Sequence, residues 1–143
     1  MSKNSDYNHV RASFRKQKIM RFFNARISRL QKGLVEISTR NRPEFEQQDG
    51  YTHAGALLTL VDSAGGYATL SLLPEGSRVL SVEIKLNFLR PAIGNVIRAR
   101  ARVRKLGRTI AVCESSVLLK QSNHWVECAW GTHTVYCIRP EQN

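Results

Sequence analysis

The sequence predicts an α+β domain in which an antiparallel sheet wraps around one long central helix, with a helical extension at the N-terminus. Three observations predict it. Thr52 to Leu73 is the longest apolar run in the chain, with a single carboxylate, Asp62, in its middle and Pro74 just beyond it. From Val79 to Ile138 the pattern changes to period two. Ahead of the run, two short alternating segments meet at Lys32-Gly33, which is a hairpin signal. One helix cannot cover both faces of such a sheet, so one face is left for a basic surface or a second subunit.

The elements follow in order. Residues 1–24 form a basic extension, 25–138 the main domain and 139–143 a tail. Residues 8–23 read as one amphipathic helix docked on the domain, with Val10, Phe14, Met20 and Phe22 or Phe23 among Arg11, Arg15, Lys16, Lys18 and Arg21. The domain is expected to fold and act without this extension. Ala25–Gln31 and Leu34–Thr39 are strands, and 40–51 is a polar loop. The apolar run is about long enough to span a bilayer, but a central Asp costs roughly 2.5–3.5 kcal/mol there. It reads instead as a buried helix, with Thr52 as its N-cap and Leu57, Leu60, Val61, Ala64, Ala68 and Leu72 as its core stripe. Gly55, Thr59, Asp62, Gly65, Gly66 and Thr69 make a small-residue face that something approaches closely. Val79–Leu89 is a strand with Val82, Ile84, Leu86 and Phe88 on one face. In Val96–Lys105, Ile97, Ala99, Ala101 and Val103 alternate with Arg98, Arg100, Arg102 and Arg104, a half-buried strand with a solvated arginine face. Thr109–Lys120 and His124–Ile138 complete the sheet, with a bulge expected at Gly131.

Composition narrows the function. Net charge is +11 at pH 7, but residues 1–32 hold nine Lys/Arg against one Asp, so the rest is only mildly basic. No nucleic-acid motif accompanies the charge, and nucleic-acid binding is not expected. Cys113, Cys128 and Cys137 are an odd number without a short-spaced pair, which reads as reduced thiols in a cytoplasmic protein. Cys128 and His133 fall on opposite faces of the last strand, so no metal site is expected. A Ser-His-Asp triad through Ser63 is excluded, because Ser63 faces away from Asp62 and no nucleophile elbow is present.

The stretch Gln47-Gln48-Asp49-Gly50-Tyr51-Thr52-His53-Ala54-Gly55, with Asp62 nine residues after His53, resembles the hotdog-fold acyl-CoA thioesterases, in particular the phenylacetate-pathway type. Ser81-Val82-Glu83-Ile84, Phe88-Leu89-Arg90-Pro91-Ala92 and Gly107-Arg108-Thr109 are also similar to that family. Ala54 replaces the first glycine of its His-Gly-Gly, and Gln47 stands where Asn is commoner. The resemblance implies an acyl-CoA substrate, no cofactor, and a dimer or dimer of dimers in which the carboxylate faces another subunit's loop and helix end. It implies Asp62 as general base toward water or as nucleophile forming an anhydride. Ala54 and Gly55 then supply oxyanion donors in the first helical turn, beside His53. Gln47 or Gln48 holds the water or the carbonyl, and Ser81 orients the water. Gly65 and Gly66 leave room for the acyl group, and Arg90, Lys105 and Arg108, at strand ends, are positions for a CoA phosphate. The competing readings are a hotdog dehydratase or hydratase and a non-catalytic acyl-CoA or nucleic-acid binding protein.

Overall fold

The computed structural model describes residues 7–141; the first six residues of the extension and the last two of the tail lie outside them. Helix α1 covers Asn8–Lys16 and α2 Lys18–Phe22. The single helix expected over 8–23 is broken at Gln17, whose backbone is extended at φ −77° and ψ 106°. Strands β1 (Arg26–Gln31) and β2 (Leu34–Arg40) form the hairpin, with Gly33 at φ +71° in its turn. A short 3-10 turn, Pro43–Phe45, puts Phe45 into the core from the loop that was read as polar.

Helix α3 spans Ala54–Leu70, shorter at both ends than the apolar run. Its N-cap is His53, not Thr52: the His53 Nδ1 accepts from the Gly55 N–H at 2.7 Å. Thr52 is occupied elsewhere, bridged to Glu46 and accepting from the Asn41 side chain at 2.8 Å. Leu57, Leu60, Val61, Ala64 and Ala68 are buried as the helical spacing requires, whereas Leu72 lies beyond the helix and is half-buried. Among the described residues no helix is long and apolar enough to cross a membrane.

Strands β3 (Arg78–Phe88), β4 (Val96–Leu106), β5 (Ile110–Gln121) and β6 (His124–Ile138) complete one six-stranded antiparallel sheet of order β1-β2-β4-β5-β6-β3. The chain therefore leaves α3 into an edge strand, and β4 returns to pair with β2. The sheet wraps α3, and Val10, Met20 and Phe23 of the extension enter the same core cluster as the helix. On the outer face, Glu36 lies under Arg29, Arg98 and Arg100 at 3.6–3.9 Å. That is the solvated arginine face, anchored on one nearly buried carboxylate.

Of the bulges in the sheet, those in β3 and β6 bear on the site by altering the faces that simple alternation assigns. In β3 the register shifts between Ser81 and Glu83. Val82 is thrown outward, at 60% exposure, while Ser81 opposes the buried Val135 and Ile84 opposes the buried His133. Val82 thus leaves the face it was assigned and Ser81 enters it. In β6 the shift falls at Cys128, not at Gly131, and it turns the Cys128 thiol into the core, where it donates to the Val117 carbonyl. Gly131 is regular in the ladder. Its missing Cβ would lie 1.7 Å from the Lys85 carbonyl oxygen, so only glycine lets β3 and β6 approach there.

Candidate active site

The β3 bulge brings three side chains together over the middle of α3. The Ser81 hydroxyl donates to Asp62 Oδ1. The same Oγ lies 2.8 Å from His133 Nε2. His133 Nε2 is 3.8 Å from Asp62 Oδ1, so the serine bridges the other two. Serine has one proton, and the carboxylate accepts it; Ser81 must then accept from His133, which fixes the Nε2–H tautomer. The order is His133 to Ser81 to Asp62. Histidine here does not take the serine proton, so Ser81 is not an activated nucleophile and this is not the triad of the serine hydrolases.

His133 is completely buried, and its Nδ1 has no partner among the described residues. Gly65 explains the fit. A Cβ on Gly65 would lie 2.0 Å from that Nδ1, so the imidazole packs against the bare helix backbone. Burial pushes the His133 pKa below its ordinary value, and the Asp62 charge opposes this only in part. The ring is neutral at pH 7 and acts as a fixed donor. Asp62 is half-exposed, so its carboxylate reaches a ligand while one oxygen is held by Ser81.

The mouth of α3 is a separate place. The Gly55 N–H is taken by His53 Nδ1, whereas the Ala54 N–H has no partner among the described residues. Together with the helix dipole it faces outward as an anion-stabilising donor. Phe22, Phe23, Phe45, His53 and Gly55 line a cavity of about 290 Å³ there. Asp62 stands eight residues along the helix from Ala54, about 12 Å at 1.5 Å per residue. Within one chain, base and oxyanion donor do not face the same atom.

A model of the thioesterase superfamily matches residues 49–123, more than half of the chain, and its span includes both the helix mouth and the Asp62–Ser81 pair. The chain belongs to the thioesterase superfamily. A thioesterase family protein from Silicibacter pomeroyi superposes with a TM-score of 0.92 and 38% identity, over 95% of this chain and 100% of that one. A putative esterase of Halobacterium salinarum is 40% identical over 72 residues, 49% of this chain and 47% of that relative. The E. coli PaaI protein of the phenylacetic acid degradation operon shares the fold, with a TM-score of 0.83 at 19% identity over 93% of each chain. The hotdog fold expected from the residues is borne out, and thioester hydrolysis is the chemistry of the family.

The other expected site residues scatter around this thioesterase. The Gln47 side-chain oxygen accepts from the Asp49 and Tyr51 N–H groups of its own loop, and exposed Gln48 donates to Asp49. Neither reaches Asp62 within the chain. Gly66 lines the cavity beside Asp62, whereas Gly65 serves His133. Arg90 follows β3 and donates to the Glu127 carbonyl, while Lys105 and Arg108 sit by the β4–β5 turn. The register Leu80↔Tyr136↔Ile110 and Phe88↔Ala129↔Val117 puts Arg90 and Arg108 at opposite ends of the sheet. The Leu80 and Phe88 rows are themselves about 26 Å apart along β3, and the two arginines lie beyond them, too far to share one phosphate. His133 was missed as a member of the site. Its inward phase with Gly131, Val135 and Cys137 was legible, and a histidine on that face next to a helix glycine was the available signal. Ser63, excluded as a nucleophile, donates to the Gln17 side chain at 2.9 Å.

Proposed function

We propose that this thioesterase hydrolyses an acyl-CoA to the free acid and CoA, as a homodimer with two active sites shared across the interface. The separation of Asp62 from the α3 mouth carries the reading. A thioester carbonyl held by the Ala54 N–H of one copy meets the Asp62 carboxylate of the other when the two helices run in opposite senses. Strand β3 supplies the interface. It is one of the two edges of the sheet, and it exposes Leu80, Val82 and Phe88, followed by Leu89, at 50–60%.

In this mechanism Asp62 takes a proton from water, and the hydroxide attacks the thioester carbon. The Ala54 N–H and the helix dipole stabilise the oxyanion, which collapses with loss of the CoA thiolate. Ser81 and His133 hold one carboxylate oxygen so that the other meets the water. Gln47, whose amide nitrogen has no partner among the described residues, is free in this reading to orient the carbonyl at the partner's site. Lys105 and Arg108 remain together as phosphate contacts. The buried thiols stay protonated, Cys128 being pushed up to about 11 by burial, which fits a reducing cytoplasm. The histidine beside Asp62 within one chain, His133, is completely buried and cannot reach a substrate carbon, which disfavours a dehydratase built on that pair.

Release of free thiol from a panel of acyl-CoAs tests the activity; no release from any of them excludes it. A single turnover in ¹⁸O-water separates the routes. General-base attack puts the label in the acid product at once, whereas an anhydride opened by water at the Asp62 carbonyl labels the Asp62 carboxylate and leaves that turnover's acid unlabelled.

A further inference from the structure

The cavity that contains Asp62 and Ser81 is a slot of about 490 Å³ with three walls. Along α3 its lining runs from Asp62 to Leu70, about 12 Å of helix. Along β3 it runs back from Ser81 to Ser77, about 13 Å of strand. The third wall is the N-terminal extension, through Ser13 of α1 and Gln17 at the helix break. Gly66 keeps the floor low: a Cβ there would meet only Val79, at 3.6 Å.

The walls are polar well away from the reacting end. Tyr67 is 7% exposed, and its hydroxyl accepts from Ser13 at 3.4 Å, while its own proton has no acceptor among the described residues. Burial pushes that phenol up, so it remains a donor. Gln17 accepts the Ser63 proton through its carbonyl oxygen, which leaves its NH₂ uncommitted among the described residues. The Ser77 hydroxyl is buried without a partner. A buried donor without an acceptor is costly, as at Ser77, and the half-buried Gln17 amide and the Tyr67 hydroxyl line the same slot, so it fits an occupant that brings acceptor oxygens of its own. Leu70, Val79 and Ile138 between them suit hydrocarbon.

We propose that this slot holds the acyl group and selects one carrying a hydroxyl or keto oxygen along its length, with Gln17 and Tyr67 as specificity-determining residues. The proposal rests on the acyl-CoA hydrolase reading above. It also makes the basic extension part of the substrate site, because Gln17 lies at the break between α1 and α2 and is bonded there to Ser63.

The test uses the full chain and matched substrates: octanoyl-CoA and hydroxyoctanoyl-CoAs with the hydroxyl at successive carbons. The expected result is a kcat/KM about tenfold or more higher for the best-placed hydroxyl than for octanoyl-CoA. Gln17→Leu and Tyr67→Phe each bring that ratio toward one. A general loss of folding lowers both substrates together and leaves the ratio standing, so the ratio is the readout. Equal values in the wild type at every hydroxyl position, or a preference that survives both substitutions, overturns the proposal. Binding to Asp62→Asn, measured by calorimetry, separates this proposal from the reading beneath it. Tighter binding of the hydroxylated thioester without wild-type turnover overturns the hydrolase reading and upholds the slot. Turnover without preference does the reverse.

Discussion

The two functional regions of α3 differ in how they are built. The mouth is exposed, sits on a loop, and acts through one backbone N–H whose neighbour is capped by His53. The middle is packed, crosses three elements, and acts through a side chain held by Ser81 and a completely buried His133. The mouth therefore tolerates changes of side chain but not of backbone, as Ala54 in a customary glycine position illustrates. The middle tolerates neither a lost proton donor nor an added methyl. The comparison also teaches that each is half of a site, about 12 Å from its complement in the same chain.

Four substitutions or conditions probe this contrast. Asp62→Asn removes the base and is expected to lower turnover by at least about 10²-fold while melting close to wild type. Near-normal turnover would remove Asp62 from the mechanism. Ala54→Pro deletes one N–H at the first helical position, where proline is tolerated, and His53 before it is already extended at ψ 137°. It is expected to cost about 10²–10³-fold in kcat. If the sites are shared, mixing it with Asp62→Asn restores activity through hybrid dimers with one intact site; mixing that restores nothing would place both halves in one chain.

Gly65→Ala gains about 1 kcal/mol of helix propensity, but the methyl must displace His133, an overpacking cost of about 1–3 kcal/mol. The expected net is a lower melting temperature and a tenfold to hundredfold loss of kcat as Ser81 and Asp62 lose their geometry, on the order of what small misplacements cost. Gly66→Ala is the control for stability, since its Cβ meets ordinary packing distance and should not destabilise. Acid gives the smallest effect. Because His133 is buried neutral, with its pKa lowered, the unfolded chain binds a proton that the folded chain resists. This contribution is absent above about pH 7 and destabilises progressively as pH falls through the unfolded value near 6.5. Denaturant melts at pH 7.5 and 5.5 should show wild type losing more stability than His133→Gln; equal losses would contradict a neutral buried ring.

Most of the fold was legible because burial imposes its period directly: Ile97, Ala99 and Ala101 on β4 and Leu57, Leu60 and Val61 on α3 stand where alternation and helical spacing put them. What escaped was set by contacts between distant segments. Thr52 has the better capping chemistry, but its bonds to Asn41 and Glu46 leave the cap to His53. Residues 8–23 carry one helical pattern, yet Gln17 breaks it while its side chain meets Ser63 on α3. The motif residues His53, Ala54, Gly55 and Asp62 could be placed because they share one helix. Ser81 and His133 could not be joined to Asp62, because a bulge fixes the phase of one and a glycine in another element admits the other.

That bulge has a consequence for assembly. An extra residue in an edge strand is a notch in an otherwise uniform ladder, and a strand laid against the edge can match it at one offset only. Two copies meeting along β3 about a twofold axis would each present the notch at Val82, so sliding by a residue pair would break the match twice. The irregularity that aims Ser81 inward would then also act as an alignment key between subunits, and the distance from one chain's helix mouth to the other's carboxylate would be gauged by the placement of a single valine.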